Sequence, residues 1–543
     1  MPFVQPSPRL GNQYDDDAVL RSYLRRALPP DVLREIEPAL REMGRLAGGP
    51  LHDLQRADRL SEPVLVQTDA WGNRVDRVEL TRVWREAERV AAEAGVVATA
   101  YERRHGRHSR VHGFALAYLF TPSTDFYGCP LAMADGAARA LLAAGADELV
   151  ARALPRLTSR DPARVWVSGQ WMTELPGGSD VSRTETVARR GDDGVWRLHG
   201  RKWFVSAVTA PMALALARPE GNPPGSRGLA LFYVEPRDED GRLQGVRVER
   251  LKDKLGTRKL PTAELTLDGV PAVPVAGLTD GVRAVAPMLN VTRTWNAITA
   301  AALMRRGVAL ATDHAARREA FGRPLRDLPL HADTLAGVEA ELEAALHLAF
   351  RLAEGLGVVE SGDGDVAGET ALLRVLTPIV KLTTARQAVA VASEAVEALG
   401  GVGYIEDSGM PALLRDAQVL SIWEGTTNVL ALDALRAVAA VDGVRVLEGE
   451  LRRRAASLAD PGLAALGDVA RSTVEEAGRW LEEASARESD AAEAGARRFA
   501  LQLGRATALA LLAHHAQWAL DQGDARPAAA ARRFAANGVR ATG

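Results

Sequence analysis

The 543-residue sequence lacks several features that would decide its class, and each gap excludes something. It has a single cysteine, Cys129. One thiol excludes an intramolecular disulfide framework and any cysteine-rich zinc or iron–sulfur site, so Cys129 reads as a lone buried thiol rather than a nucleophile. Lysine is nearly missing. Of 67 basic residues only Lys202, Lys252, Lys254, Lys259 and Lys381 are lysines, which points to compositional bias rather than to selection for phosphate binding. The net charge of −3 gives no global signal for nucleic acid or an anionic membrane. No apolar run approaches 18 residues, so no membrane-spanning helix is expected. The amino terminus "MPFVQPSPRLGNQYDDD" lacks the basic-then-apolar order of a secretory signal. A cytoplasmic protein is the expectation.

Familiar phosphate motifs are missing too. There is no GxxxxGK[ST] loop and no GxSxG elbow. The "GGVG" at 400–403 follows a helical pattern, not a strand, so it is not the phosphate turn of a βαβ unit. His105, His108 and His112 lie among arginines and read as a solvated basic face, as do His514 and His515. No metal site is expected from either group, because neither has acidic support.

What is present is ordinary globular composition, 47% apolar and 25% charged, in a chain too long for one core. Residues 15–160 read mostly as helix, with apolar residues at helical spacing. Near residue 165 the period shortens. "ARVWVSGQWMTE", "GVWRLHGRKWFVSAV", "GLALFYVEP" and "TAELTLDGVPAVPV" are short, rich in valine and aromatics, and separated by Gly, Pro and Asp. They predict a compact antiparallel β domain. Long helical patterns then return and suggest a bundle. The expected organisation is an N-terminal helical domain over 1–164, a middle β domain over 165–281, a helical bundle over 282–440 and an additional helical domain over 441–543. The fold class is mainly α with a small β domain (α+β).

Five segments carry candidate chemistry, and each has a plain alternative. In "WMTELPGGSD" (171–180), Thr173 and Ser179 flank a Pro-Gly-Gly turn. Such a turn is either a hairpin loop or a nest of backbone N–H groups for phosphate. Trp203 in "GRKWFVSA" is either core or a face on which a planar cofactor stacks. "RREAFG" (317–322) is either a helix C-terminus or a pyrophosphate-binding arginine. The glycines of "EALGGVGY" (397–404) are a C-cap or a backbone approach to a nucleotide. "SIWEGTTNVLALDALR" (421–436) sets Glu424 beside an indole in a small polar break between two apolar helical segments.

In order and spacing these segments resemble the acyl-CoA dehydrogenase family, over residues 70–440. "TDAWGNRVDRV", "RLKDKLGTRK", "VTRTWNA…ALMRR" and the extra helical C-terminus resemble its AidB-like, adaptive-response branch, which extends the likeness to nearly the whole chain. The resemblance implies FAD as cofactor and a helical, β, helical domain order. It assigns Met172, Thr173, Gly178 and Ser179 to the flavin and pyrophosphate loop. Trp203 lies against the isoalloxazine ring, with Lys202, Phe204 and Ser206 on the same strand. Arg318 and Phe321 reach the FAD of a neighbouring subunit. Gly400 and Gly401 meet the adenine end. Ile422, Trp423, Thr426 and Asn428 are further cofactor contacts around the catalytic base, Glu424.

The implied reaction removes an α-proton to Glu424 and a β-hydride to the flavin of an acyl-CoA or related thioester. A carboxylate withdrawn from water is the stronger base, and an N–H near the turn would polarise the thioester carbonyl. The implied assembly is a homotetramer or homodimer. Three positions depart from the family pattern. Val205 stands where many members carry a flavin-bonding hydroxyl, with Ser206 as the substitute. The glutamine that many relatives use for the partner's FAD is missing from "RPLRDLPLHAD". Arginine and acidic residues nearly balance over 437–543, where a DNA-binding domain would be strongly basic. The arginine groups 452–454, 497–498 and 532–533 remain its candidate patch. Two alternatives stand beside the dehydrogenase reading: an AidB-like flavoprotein that binds DNA and protects it from alkylation, and a biosynthetic flavin oxidase on the same fold.

Overall fold

The computed structural model describes residues 5–487 and 489–539. They form two compact units.

The first unit comprises Leu51–Glu102 and Ser123–Trp295. It opens on a hairpin, β1 (Val64–Thr68) and β2 (Arg74–Glu79). This hairpin lies inside the stretch that periodicity reads as mostly helical. It forms because Asp69 accepts from the N–H groups of Trp71 and Asn73, each at 2.9 Å, while Gly72 takes φ +83°. Buried Asp76 then accepts the Val248 N–H at 2.9 Å and ties the hairpin to a neighbouring strand.

Seven more strands follow: β3 (Ser168–Trp171), β4 (Val187–Arg190), β5 (Trp196–Ser206), β6 (Met212–Pro219), β7 (Ala230–Val234), β8 (Val246–Leu251) and β9 (Thr262–Pro274). They are ordered β3-β6-β4-β5-β9-β7, and a further β6–β7 pairing closes the path into a five-stranded ring; β8 adds to β9. Closure removes the open edges that a sheet would leave. Pairing is antiparallel except for β3–β6 and β4–β6, which run parallel. Inward residues such as Leu198, Val205, Phe232, Leu265 and Val270 are at most 1% exposed and fill the ring.

The second unit comprises residues 5–50, 103–122 and 296–539 and is helical. Helices start where a side chain can satisfy their free N–H groups. Asp17 caps Ala18–Ala27, Asp365 caps Val366–Ala398 and Thr426 caps Thr427–Val441. Pro329 opens Pro329–Ser361, where a missing N–H costs nothing. Pro329–Ser361 and Val366–Ala398 supply most of the bundle core, including Leu346, Phe350, Leu376 and Ile379.

Buried charge fastens the last hundred residues to this bundle. Arg351 donates to Glu369 at 2.6 Å and to Glu450 at 2.9 Å. Glu450 also takes Arg453 and Arg454. Burial would raise the Glu450 carboxyl, but Arg351 and Arg454 outweigh it and hold it well below the usual carboxylate range. Arg526 donates to the fully buried Glu343 at 2.8 Å.

The histidines differ from the solvated face expected of them. His515 is 0% exposed, accepts from Arg26 at 3.2 Å and lies 3.1 Å from the Ser22 hydroxyl. His514 is half-buried, 2.8 Å from the Ser457 hydroxyl. His105, His108 and His112 are also only half-exposed. Ligand atoms of Glu343, His347 and His515 lie within 4.8 Å of one another. Arg526 and Arg26 already donate to Glu343 and His515, so positive charge is supplied there by guanidinium groups. Burial, then the neighbouring cations, drives His515 down to about 2 and His347 well below its ordinary range.

Both rings are therefore neutral in the fold, whereas in the unfolded chain they bind protons as pH drops through about 6.5. Stability is lost in that direction, by up to ~1.4 kcal/mol per pH unit for each ring. Urea unfolding should show stability falling from pH 7.5 to 5.5, and His515→Gln should flatten the slope. An unchanged slope in that variant would assign the dependence to other groups.

Candidate active site

In the β-rich unit the candidate cofactor loop begins where β3 ends. Met172 is buried and Thr173 half-buried, while Gly178 and Ser179 are exposed. Glu174 and Gly177 exchange two backbone hydrogen bonds of 3.2 Å, which makes the Leu175–Pro176 turn tight. A Cβ on Gly177 would meet the Asp180 carbonyl at 2.5 Å, so the loop needs glycine there.

The loop hangs from a buried ion pair. Glu174 is 3% exposed, and its carboxylate accepts from Lys202 Nζ at 2.6 Å, the Thr186 hydroxyl at 2.6 Å and the Glu185 N–H at 2.7 Å. Lys202 is 0% exposed and gives a second bond of 2.7 Å to the Leu216 carbonyl. Burial lowers the Lys202 ammonium's affinity for its proton, and Glu174 opposes that.

Next on β5 come Trp203 and Phe204. Sequence reading takes this strand as regular, but the β5–β9 register shifts between Lys202 and Val205. The bulge frees the Trp203 N–H to bond the Thr173 carbonyl at 3.0 Å and leaves Phe204 half exposed. One face of the Trp203 ring is covered by Lys252, whose ammonium sits 3.8 Å from the ring centroid and 2.8 Å from Glu264. Val205 is 0% exposed within the ring of strands, which keeps it from any cofactor role. Ser206 faces the other way, 3.2 Å from the Thr262 hydroxyl.

In the helical unit three segments matter. The helix Gly281–Arg317 does not end in a glycine cap, as its sequence suggests. It gives way to a two-residue ladder, β10 (Glu319–Ala320) with β11 (Arg323–Pro324). Phe321 and Gly322 form the turn, with φ +52° and +79°, and Phe321 is 95% exposed. Arg318 donates to Gln5 at 3.2 Å. Gly400 (φ +63°) and Gly401 follow the helix Val366–Ala398, and a Cβ on either would meet nothing within 4 Å.

The third segment is the turn 421–426. Glu424 is half-buried at φ +55° and Gly425 stands at φ +105°. The Gly425 carbonyl accepts 2.7 Å from the buried Lys381 ammonium. Trp423 is half-buried and Ile422 exposed. Thr426 spends its oxygen on the Val429 N–H, and Asn428 accepts from Arg497 at 3.3 Å. Other C-terminal arginines are similarly engaged: Arg453 and Arg454 on Glu450, Arg533 on Asp333, and Arg498 over Trp480.

The AidB N-terminal domain family matches residues 5–162, the acyl-CoA dehydrogenase middle domain 169–270 and the acyl-CoA dehydrogenase C-terminal domain 279–439. Acyl-CoA dehydrogenase family member 11 of Caenorhabditis elegans is 43% identical over 458 residues, which are 82% of this chain and 74% of that one. The chain belongs to the acyl-CoA dehydrogenase family. Putative acyl-CoA dehydrogenase AidB of Escherichia coli is 33% identical over 406 residues, 73% of each chain. The solved structure of C. elegans ACDH-11 in complex with C11-CoA superposes with a TM-score of 0.96 at 38% identity, covering 100% of this chain and 94% of that one. The protein is thus an acyl-CoA dehydrogenase-type oxidoreductase acting on CH–CH bonds, in a family of flavoproteins.

The residues fit such a group on structural grounds. The loop at 178–179 is open, one face of an indole is backed by an ammonium, and the backbone at Gly400 and Gly401 is unobstructed. Sequence reading missed the supports behind these residues, namely Glu174, Lys252 and Lys381. The one signal in the sequence was the rarity of lysine, five among 67 basic residues, and the fold leaves none of the five exposed.

Lys202→Met would leave Glu174 buried without its cation, a loss of about 3–5 kcal/mol for a broken buried pair. The variant should unfold at lower temperature and retain less flavin per chain, read by thermal melts and absorbance. Parental values for both would show that the pair does not hold the loop.

Proposed function

We propose that the cofactor is FAD and that Glu424 takes the α-proton of an acyl-CoA substrate. The observation that carries this is the turn at 421–426, where Glu424 is set at a left-handed φ of +55°. A non-glycine residue in that region is strained, and the strain persists only where surrounding structure imposes it. Met172, Thr173, Gly178, Ser179, Trp203, Phe204, Ser206, Gly400, Gly401, Ile422, Trp423, Thr426 and Asn428 are the candidate flavin contacts, and Arg318 and Phe321 would reach the FAD of a neighbouring subunit.

FAD, when bound, supplies the acceptor for the β-hydride. The chain does the rest. A backbone N–H at the Glu424 turn donates to the thioester carbonyl and acidifies the α-carbon. Glu424 receives the α-proton and becomes the neutral acid. Trp203 would be the indole against which the flavin rests, and Lys252 and Glu264 hold that indole in place. The C11-CoA bound to ACDH-11 supports an acyl-CoA as the substrate class.

We further propose a homotetramer or homodimer. Phe321 at 95% exposed, Tyr404 at 82% and Ile405 at 56% are apolar side chains that such a contact would cover.

Under anaerobic conditions, medium-chain acyl-CoAs should bleach the flavin of the purified protein, and Glu424→Gln should slow this by about 10²- to 10⁴-fold, the usual weight of a general base. Bleaching at the parental rate in Glu424→Gln would remove the base assignment. Phe321→Asp should lower the mass seen by light scattering and the flavin retained; a parental mass would refute that contact.

A further inference from the structure

We propose that Lys381 is a positioning residue for Glu424: its buried ammonium fixes the turn that aims the carboxylate. The inference rests on the reading of Glu424 as base. Lys381 lies in the helix Val366–Ala398 and is 0% exposed. Its Nζ donates to the carbonyl of Gly425, the residue after Glu424, at 2.7 Å.

The turn is secured at its two ends by its own backbone. Before it, the N–H groups of Ile422 and Trp423 bond the Val419 carbonyl at 2.9 and 3.1 Å. After it, Thr426 caps the next helix. Between them stand two consecutive residues of positive φ, Glu424 and Gly425. Gly425 adopts such a φ freely, but Glu424 is strained there and keeps it only where surrounding structure holds the turn. Lys381 supplies that hold from a different helix.

The residue type supports the reading. Burying an ammonium is costly, and an apolar side chain would fill the core without that cost. The chain carries 67 basic residues, nearly all arginine, yet keeps lysine here. A compact ammonium brings three donors that turn freely about the Cε–Nζ bond, whereas a planar guanidinium brings five in a fixed fork that needs more room and more partners.

The test compares the flavin-loaded parent with Lys381→Met, Lys381→Gln, Lys381→Arg and Glu424→Gln. Anaerobic stopped-flow gives the rate of flavin reduction by acyl-CoA per bound flavin, with dithionite reduction as the control. Lys381→Met should reduce its flavin 10- to 100-fold more slowly with acyl-CoA, with little change in the substrate concentration for half-maximal rate and none in the dithionite rate. Lys381→Gln, which can still donate to the Gly425 carbonyl, should recover part of the loss and serves if the Met variant does not fold. Lys381→Arg should not recover it. A merely structural lysine would lower flavin content and melting temperature but leave the rate per bound flavin within about threefold of the parent in the Met and Gln variants, and that result overturns the inference while Glu424→Gln stays inactive. Parental bleaching in Glu424→Gln overturns the base reading itself, and the inference with it.

Discussion

The buried pair Lys202–Glu174 sets the terms for the β-rich unit. Neither group reaches water, so each must be satisfied by the other and by the backbone around it. Glu174 is the first residue of the candidate cofactor turn, and Lys202 precedes the indole on β5. Satisfying the charges therefore brings the turn and the indole together, and the Trp203–Thr173 backbone bond follows from the same placement. Replacing both partners with apolar residues could preserve stability but would leave the register of loop against strand unspecified.

The helical unit uses the same device on a larger scale. Arg351 bridges Glu369 and Glu450, Arg526 meets Glu343, and Arg505 meets Glu341 at 2.9 Å. Each couples the C-terminal helices to the bundle through a guanidinium whose planar fork can serve several oxygens. This explains why the near-neutral charge of the C-terminal stretch conceals many arginines: much of their charge is matched by carboxylates within the fold. Of the arginine groups named as a candidate nucleic-acid patch, Arg453, Arg454 and Arg533 are matched by carboxylates, Arg497 bonds Asn428 and Arg498 lies over Trp480.

How much could be seen in the sequence follows from what each signal depends on. The β domain was legible because period-2 patterns between Gly, Pro and Asp report local structure. Glu424, Trp203 and the glycine turns are candidates that motif order alone singles out. The hairpin at Val64–Glu79 was not legible, because its strands are short, only Leu65 and Val78 pack on the core, and its turn and docking depend on Asp69 and Asp76. His515 was misread because burial depends on partners such as Ser22, which lies 493 residues away. The bulge at Trp203 and the left-handed turn at Phe321 are backbone events that no residue type announces.

The sheltered lysines also bear on chemical durability. Acyl thioesters are electrophiles, and an unprotonated amine at the surface can attack one and keep the acyl group. Here the ammonium groups of Lys202, Lys252, Lys254, Lys259 and Lys381 are all engaged with carboxylate, carbonyl or hydroxyl oxygens, and none is exposed. The outer basic residues are guanidiniums, which stay protonated and do not act as nucleophiles at neutral pH. A protein that works among activated acyl groups thus presents them with no exposed lysine to acylate.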